Sequence, residues 1–169
     1  VNGIPQGDWE PVILLITPKK QQLITAGAQY FINEKSYVKT ELALSNYDAN
    51  TFSSKDKGEN NGAAAKVEYT TSNKVLRGLK DGLVLQSTIN YEYVQDRFKP
   101  IERLRNVEFN RDWSLPFDAP SATENLVTGS LQLRDSKNNF FNYQLTNYNR
   151  SDNYNGIRNS IENSMEIKG

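Results

Sequence analysis

In residues 83–93, Leu83, Leu85, Ile89, Tyr91 and Tyr93 fall on one parity, and Gln86, Thr88, Asn90 and Glu92 fall on the other. Side chains of an extended chain alternate between faces, so this run predicts a strand with one apolar and one polar side. The same period returns along most of the chain. Residues 22–31 set Ile24, Ala26, Ala28 and Tyr30 on one face, residues 37–46 do so with Val38, Leu42 and Leu44, and the intervening Asn33, Glu34, Lys35 and Ser36 supply the turn of a hairpin. Residues 63–72 align Ala63, Ala65, Val67 and Tyr69 against Lys66 and Glu68.

Further along, residues 107–115 alternate Phe109, Arg111, Trp113 and Leu115 with Glu108, Asn110 and Asp112, which predicts another strand. Residues 126–134 put Val127, Leu131 and Leu133 on one face. A turn at 135–139 then leads into 140–149, where Phe141, Tyr143 and Leu145 share a side, so these two runs predict a second hairpin. The last run, 154–167, holds Ile157, Ile161 and Met165 on one parity together with Asn155, Asn159 and Asn163, and its spacing suits a short helix about as well as a strand.

The remaining segments punctuate this pattern. Residues 1–10, with Gly3, Pro5, Gly7 and Trp9, read as an irregular lead-in, and 11–18 as a short strand between prolines with both faces apolar. Residues 47–62, rich in Asn, Asp, Ser, Lys and Gly, read as a long exposed connection, and Lys80, Asp81 and Gly82 as a turn. A helical turn over 96–104 is interrupted by Pro100, and 116–125 is a loop. The predicted fold is all-β, an antiparallel meander of about eight or nine strands spanning 1–169 as one domain or as a segment of a larger β protein, arranged as a barrel or a sandwich.

Composition removes most catalytic options. The chain has no cysteine and no histidine, which excludes disulfides, thiolate metal sites, a cysteine nucleophile, imidazole proton shuttles and Ser-His-Asp catalysis. Twenty basic residues balance twenty acidic ones, and only Arg97, Lys99, Arg103 and Arg105 gather into a basic stretch, which reads as a solvated loop or strand edge. Nucleic acid is therefore not an expected partner, since phosphate binding needs a concentrated positive face. The start at Val1 shows neither an initiator Met nor a signal-peptide pattern and reads as a mature or excised segment. The longest apolar run, residues 12–16, is far short of the ~20 residues of a membrane helix.

Carboxylates are the catalytic kit that remains. Glu108 and Asp112 share a parity, but four residues along a strand span ~13 Å, beyond the ~5–9.5 Å that glycoside hydrolysis uses, although Glu92 on another strand could approach. No enzyme activity is expected, and no metal or cofactor. Asp48, Asn50, Asp56, Glu59 and Asn60 offer oxygen ligands for calcium, yet their spacing around Gly58 and Gly62 misplaces both the glycine and the distal glutamate of a calcium loop. Trp9, Trp113, Tyr148 and Tyr154 are the candidates for stacking a sugar ring. Tyr91 and Tyr93, at the end of an apolar face, suit the interfacial aromatic girdle of a bilayer-spanning barrel.

Two further stretches carry a resemblance. LALSNYDANTFS over 42–53 and IERLRNVEFNRDW over 101–113 are similar in style to large Asn- and Tyr-rich cell-envelope β proteins of Bacteroidota, many of which resemble outer-membrane barrels; the likeness runs over 40–165. It implies a location in the cell envelope, at the outer membrane or cell surface, and a structural, transport or surface-binding role with lipid or envelope proteins as partners. The patterning itself leaves two readings open. In one, the apolar faces of ~9–11-residue strands meet lipid and the polar faces, with the chain's twenty asparagines, line an interior. In the other, the chain is a soluble secreted or surface sandwich that binds glycan or protein.

Overall fold

The computed structural model describes residues 16–55, 57–74, 82–137 and 139–166. Within them the chain forms seven strands: β1 (Lys20–Asn33), β2 (Ser36–Asp48), β3 (Asn61–Lys74), β4 (Val84–Val94), β5 (Glu124–Arg134), β6 (Phe140–Arg150) and β7 (Asn155–Ser164). They join as one open antiparallel sheet in the order β1-β2-β3-β4-β5-β6-β7. The all-β antiparallel fold is thus as expected, and among the described residues helix is confined to two single turns, Lys57–Glu59 and Phe109–Asp112.

The strand count is lower than expected for an identifiable reason. Residues 107–115 do not extend: Phe109–Asp112 forms one α-helical turn, and Trp113 follows it as the C-cap. A strand there would have faced its aromatic side chains one way, whereas the turn lets Phe109 and Trp113 converge. The short apolar strand over 11–18 lies largely outside the described residues, as does the turn at Lys80 and Asp81. The final run settles as the strand β7 rather than a helix, because β6 offers it a continuous ladder from Phe140↔Ser164 to Asn149↔Asn155.

Register brings the predicted apolar parities onto one face. Ala28, Thr40, Val67, Tyr91, Val127, Asn147 and Ile157 stand on a single rung, and the next rung holds Tyr30, Val38, Tyr69, Ile89, Gly129, Leu145 and Asn159. The opposite face is polar. One of its rungs runs Gln29, Lys39, Glu68, Asn90, Thr128, Thr146 and Arg158. Cross-strand hydroxyl pairs bind it together, Thr70 with Thr88 at 3.1 Å and Thr128 with Thr146 at 3.3 Å.

The two ends of the sheet differ. At one end β2 gives way to β3, β4 to β5 and β6 to β7, and at the other end β1 gives way to β2, β3 to β4 and β5 to β6. Short polar side chains close the tight turns: the Asn33 side chain accepts the Lys35 amide, and Asp135 accepts those of Lys137 and Asn139. The long connection 95–123 buries Phe98 and Trp113 while Ile101, Val107 and Phe117 stay exposed. It folds back over the polar face.

Candidate functional site

The returning loop makes its core where the polar face carries apolar exceptions. Leu126 and Tyr148 occupy adjacent strands on one rung of that face, and Trp113 settles on them with Phe109, Leu115 and Tyr154 packed around. Tyr148 is fully buried. Its ring lies 5.1 Å from that of Trp113, 5.3 Å from that of Phe109 and 5.6 Å from that of Tyr154, in tilted and edge-on arrangements that aromatic quadrupoles favour. The Tyr154 hydroxyl donates to the Trp113 carbonyl and so ties the β6–β7 turn to the loop.

Three of the four aromatic candidates for ligand stacking, Trp113, Tyr148 and Tyr154, are therefore brought together, and what they stack on is one another. Trp9 lies outside the described residues. Glycines make the close approach possible. A Cβ on Gly156 would stand 2.9 Å from Trp113 Cε3, and one on Gly62 would stand 2.3 Å from the Phe98 backbone nitrogen, so β3 and β7 each admit the loop only where a side chain is missing.

Charge completes the anchorage. Arg105, in the loop, reaches down with Nη1 2.6 Å from Glu92 Oε2 and Nη2 3.1 Å from Glu124 Oε2, while its guanidinium lies 4.9 Å from the centre of the Phe109 ring. Burial works against its charge, yet Glu92 and Glu124 outweigh that and hold the guanidinium more firmly protonated than usual. Arg150, which is buried, donates 2.7 Å to the Pro120 carbonyl and pairs with Asp152 at 2.8 Å. Lys66 stands 3.5 Å from Glu92, and the Lys99 amide donates to Ser45 Oγ at 3.0 Å. The Tyr148 hydroxyl and Arg105 Nε are buried without a hydrogen-bond partner among the described residues.

The carboxylates singled out in the sequence do not form a pair facing a substrate. Glu108 and Asp112 flank one helical turn, where Arg111 binds the first at 2.7 Å and Arg158 the second at 3.1 Å. Glu92 is committed to Arg105. At the end of β2 the Asp48 carboxylate is taken by Lys57 and by the Asn50 backbone amide. Of the basic stretch, Arg97 and Arg103 are exposed as expected; Arg105 departs from that reading, since it is half-buried between two acids.

The opposite face is the larger feature. Ile24, Leu42, Leu44, Ile89, Leu131, Leu145, Ile157 and Ile161 all stand on it and all are exposed, Ile24 at 70%, Ile157 at 67% and Ile161 at 68%. Nothing among the described residues covers this surface. The protein's buried cluster thus sits on its polar face, and its apolar face lies bare. Two tyrosines on the bare face send their hydroxyls to asparagines, Tyr91 to Asn125 and Tyr143 to Asn159, each at 2.7 Å. Sequence reasoning identified the apolar parities but not the return of the loop. The available signal was the trio Leu126, Tyr148 and Val94, apolar intrusions into the polar parity clustered at the end where 95–123 departs.

Comparison with protein families, with curated proteins and with solved structures finds no match to this chain.

Proposed function

We propose that this chain is a non-catalytic β segment of the cell envelope, part of an outer-membrane barrel-like protein, with a structural or transport role. Its apolar face lies against lipid, and its polar face borders an interior into which the 95–123 loop folds. One observation carries this reading: the inversion of polarity, in which the packed cluster and the ion pairs occupy the polar face while apolar side chains from every strand stand uncovered on the other. A water-soluble monomer rarely leaves so extended an apolar surface in contact with solvent. Strands of 10–14 residues match the length that a tilted strand needs to cross a hydrocarbon core.

Flotation tests the proposal. The chain, refolded in detergent and mixed with phosphatidylcholine vesicles, should float with the lipid and resist extraction by carbonate. A chain that stays monomeric in detergent-free buffer and unfolds cooperatively would sink it and favour a soluble module that binds glycan or protein.

A further inference from the structure

The edge of the apolar band crosses the sheet obliquely. On β1, β2 and β3 the apolar run starts at Ile24, Leu44 and Ala63, and the residues just beyond it towards the long-loop end are Gln22, Asn46 and Asn61, which share one rung. On β5, β6 and β7 the corresponding amides are Asn125, Asn149 and Asn155, and these share the rung of Ala26, Leu42, Ala65 and Tyr93. The other border moves the same way. Ser36, Thr71 and Ser87 are polar on the rung where Leu131, Tyr143 and Ile161 are apolar. From β1 to β7 the band slides towards the short-turn end, slightly under one residue per strand.

We propose that this slope records how the sheet stands in a bilayer: strands tilted about 30° from the membrane normal along a right-handed screw, with the apolar face convex and lipid acyl chains as its occupant. The inference rests on the membrane reading above and adds an orientation to it. The angle follows from a slide of slightly under ~3.3 Å along the strand for each ~4.8 Å step across the sheet, and it lies near the ~35–45° of closed membrane barrels.

The direction of the slide is an independent check. The amides of Tyr47, Gln95 and Arg150 donate to Asn60, Ala63 and Tyr154, so Tyr47, Ala63 and Arg150 turn their backbone polar groups towards the next strand in sequence. An L-residue on an ascending strand with its side chain towards the viewer directs those groups to the right. Seen from the apolar face with the long loops uppermost, the strands therefore run from β1 on the right to β7 on the left. Right-handed twist makes the strands of a closed barrel rise to the right when seen from outside, so the rungs rise to the left. A level membrane band must then descend from β1 to β7, as it does here. Seen from inside a barrel the sign would be reversed, and a band running along the rungs would have no slope.

Because the chain has no cysteine, single-cysteine variants carry one label each. Leu42→Cys and Asn125→Cys lie on one rung, and Thr71→Cys and Ile161→Cys lie on another. Each is spin-labelled in phosphatidylcholine vesicles, and its collision rates with oxygen and with a water-soluble nickel chelate are compared. The tilt predicts that each rung splits: labels at 42 and 161 favour oxygen severalfold over those at 125 and 71. Equal depths within each rung, with oxygen still favoured, would overturn the tilt and leave the lipid-facing reading in place. Nickel access as high as in water at all four positions would overturn both.

Discussion

At the scale of single residues the loop 95–123 is held by a few contacts that tolerate little change. Gly156→Ala would press a methyl group against the Trp113 ring, which Phe109 and Tyr148 already hold in place; the expected cost is about 1–3 kcal/mol. Thermal unfolding measures that cost, and a red shift of Trp113 emission in a Trp9→Phe background reports the displaced ring. Gly129 is the control. A Cβ there meets nothing within 4 Å, so Gly129→Ala should be neutral or stabilising by about 0.5 kcal/mol. Arg105→Ala leaves Glu92 and Glu124 facing each other without their shared cation, and should loosen the loop by on the order of 2 kcal/mol, read as faster proteolysis within 95–123. Acid acts on a neighbouring contact. A hydrogen bond from Arg150 holds the Asp152 carboxyl below the usual carboxylate range, so its contribution is present above the ordinary Asp value and is lost as pH falls through the lowered one. A carbon-13 titration of Asp152 should show the depressed midpoint, and Arg150→Gln should restore it.

At the scale of elements the legible and illegible parts divide by the range of the forces involved. Apart from residues 107–115, each described run of period two is a strand, because alternation is imposed residue by residue and a ladder only has to accept it. Residues 107–115 had the same period and became a helical turn, since what decides them is the distant pocket formed by Leu126 and Tyr148 rather than their own neighbours. Arg105 was unreadable for a similar reason: its two acids come from β4 and β5, which meet only once the sheet has formed. In sequence Trp113, Tyr148 and Tyr154 read as candidates for stacking a ligand; the loop gathers them into its own core, an arrangement that needs the glycine at 156 as much as the aromatics. The outer strands make a further prediction possible. Tyr47 bonds towards β3, so by alternation the even residues of β2 face β1, and the amides of Leu23, Thr25, Gly27 and Gln29 face the open edge. If the sheet closes as the proposed barrel requires, a further strand would pair with this edge, and these amides should exchange as slowly as those of β3. Exchange within seconds in the lipid-bound protein would mean that β1 remains a free edge, and barrel closure would fail with it.

At the scale of the whole molecule the fold inverts the usual relation between burial and polarity, and that inversion sets the sign of a charge substitution. A lysine at Leu131 or Ile89 would stand on the uncovered face, where those side chains are 48% and 58% exposed. In water such a change would cost nothing and would improve solubility, since it replaces exposed apolar surface with a charge. Against acyl chains it should cost about 2–4 kcal/mol near the centre of the bilayer, falling to about 0–1 kcal/mol near the interface. Leu131→Lys should therefore lower the urea midpoint in vesicles, whereas Asn149→Lys, on the same face but at the polar border of the band, should leave it nearly unchanged. A position on the polar face supplies the reference: Thr128→Lys stands on the polar rung shared with Lys39 and Arg158, and on the membrane reading it should perturb stability less than Leu131→Lys. If Leu131→Lys raises the midpoint or leaves it unchanged, while Thr128→Lys lowers it, then water bathes the apolar face and the polar face holds the true interior. The membrane assignment would then give way to a sheet exposed on its apolar side until another protein covers it.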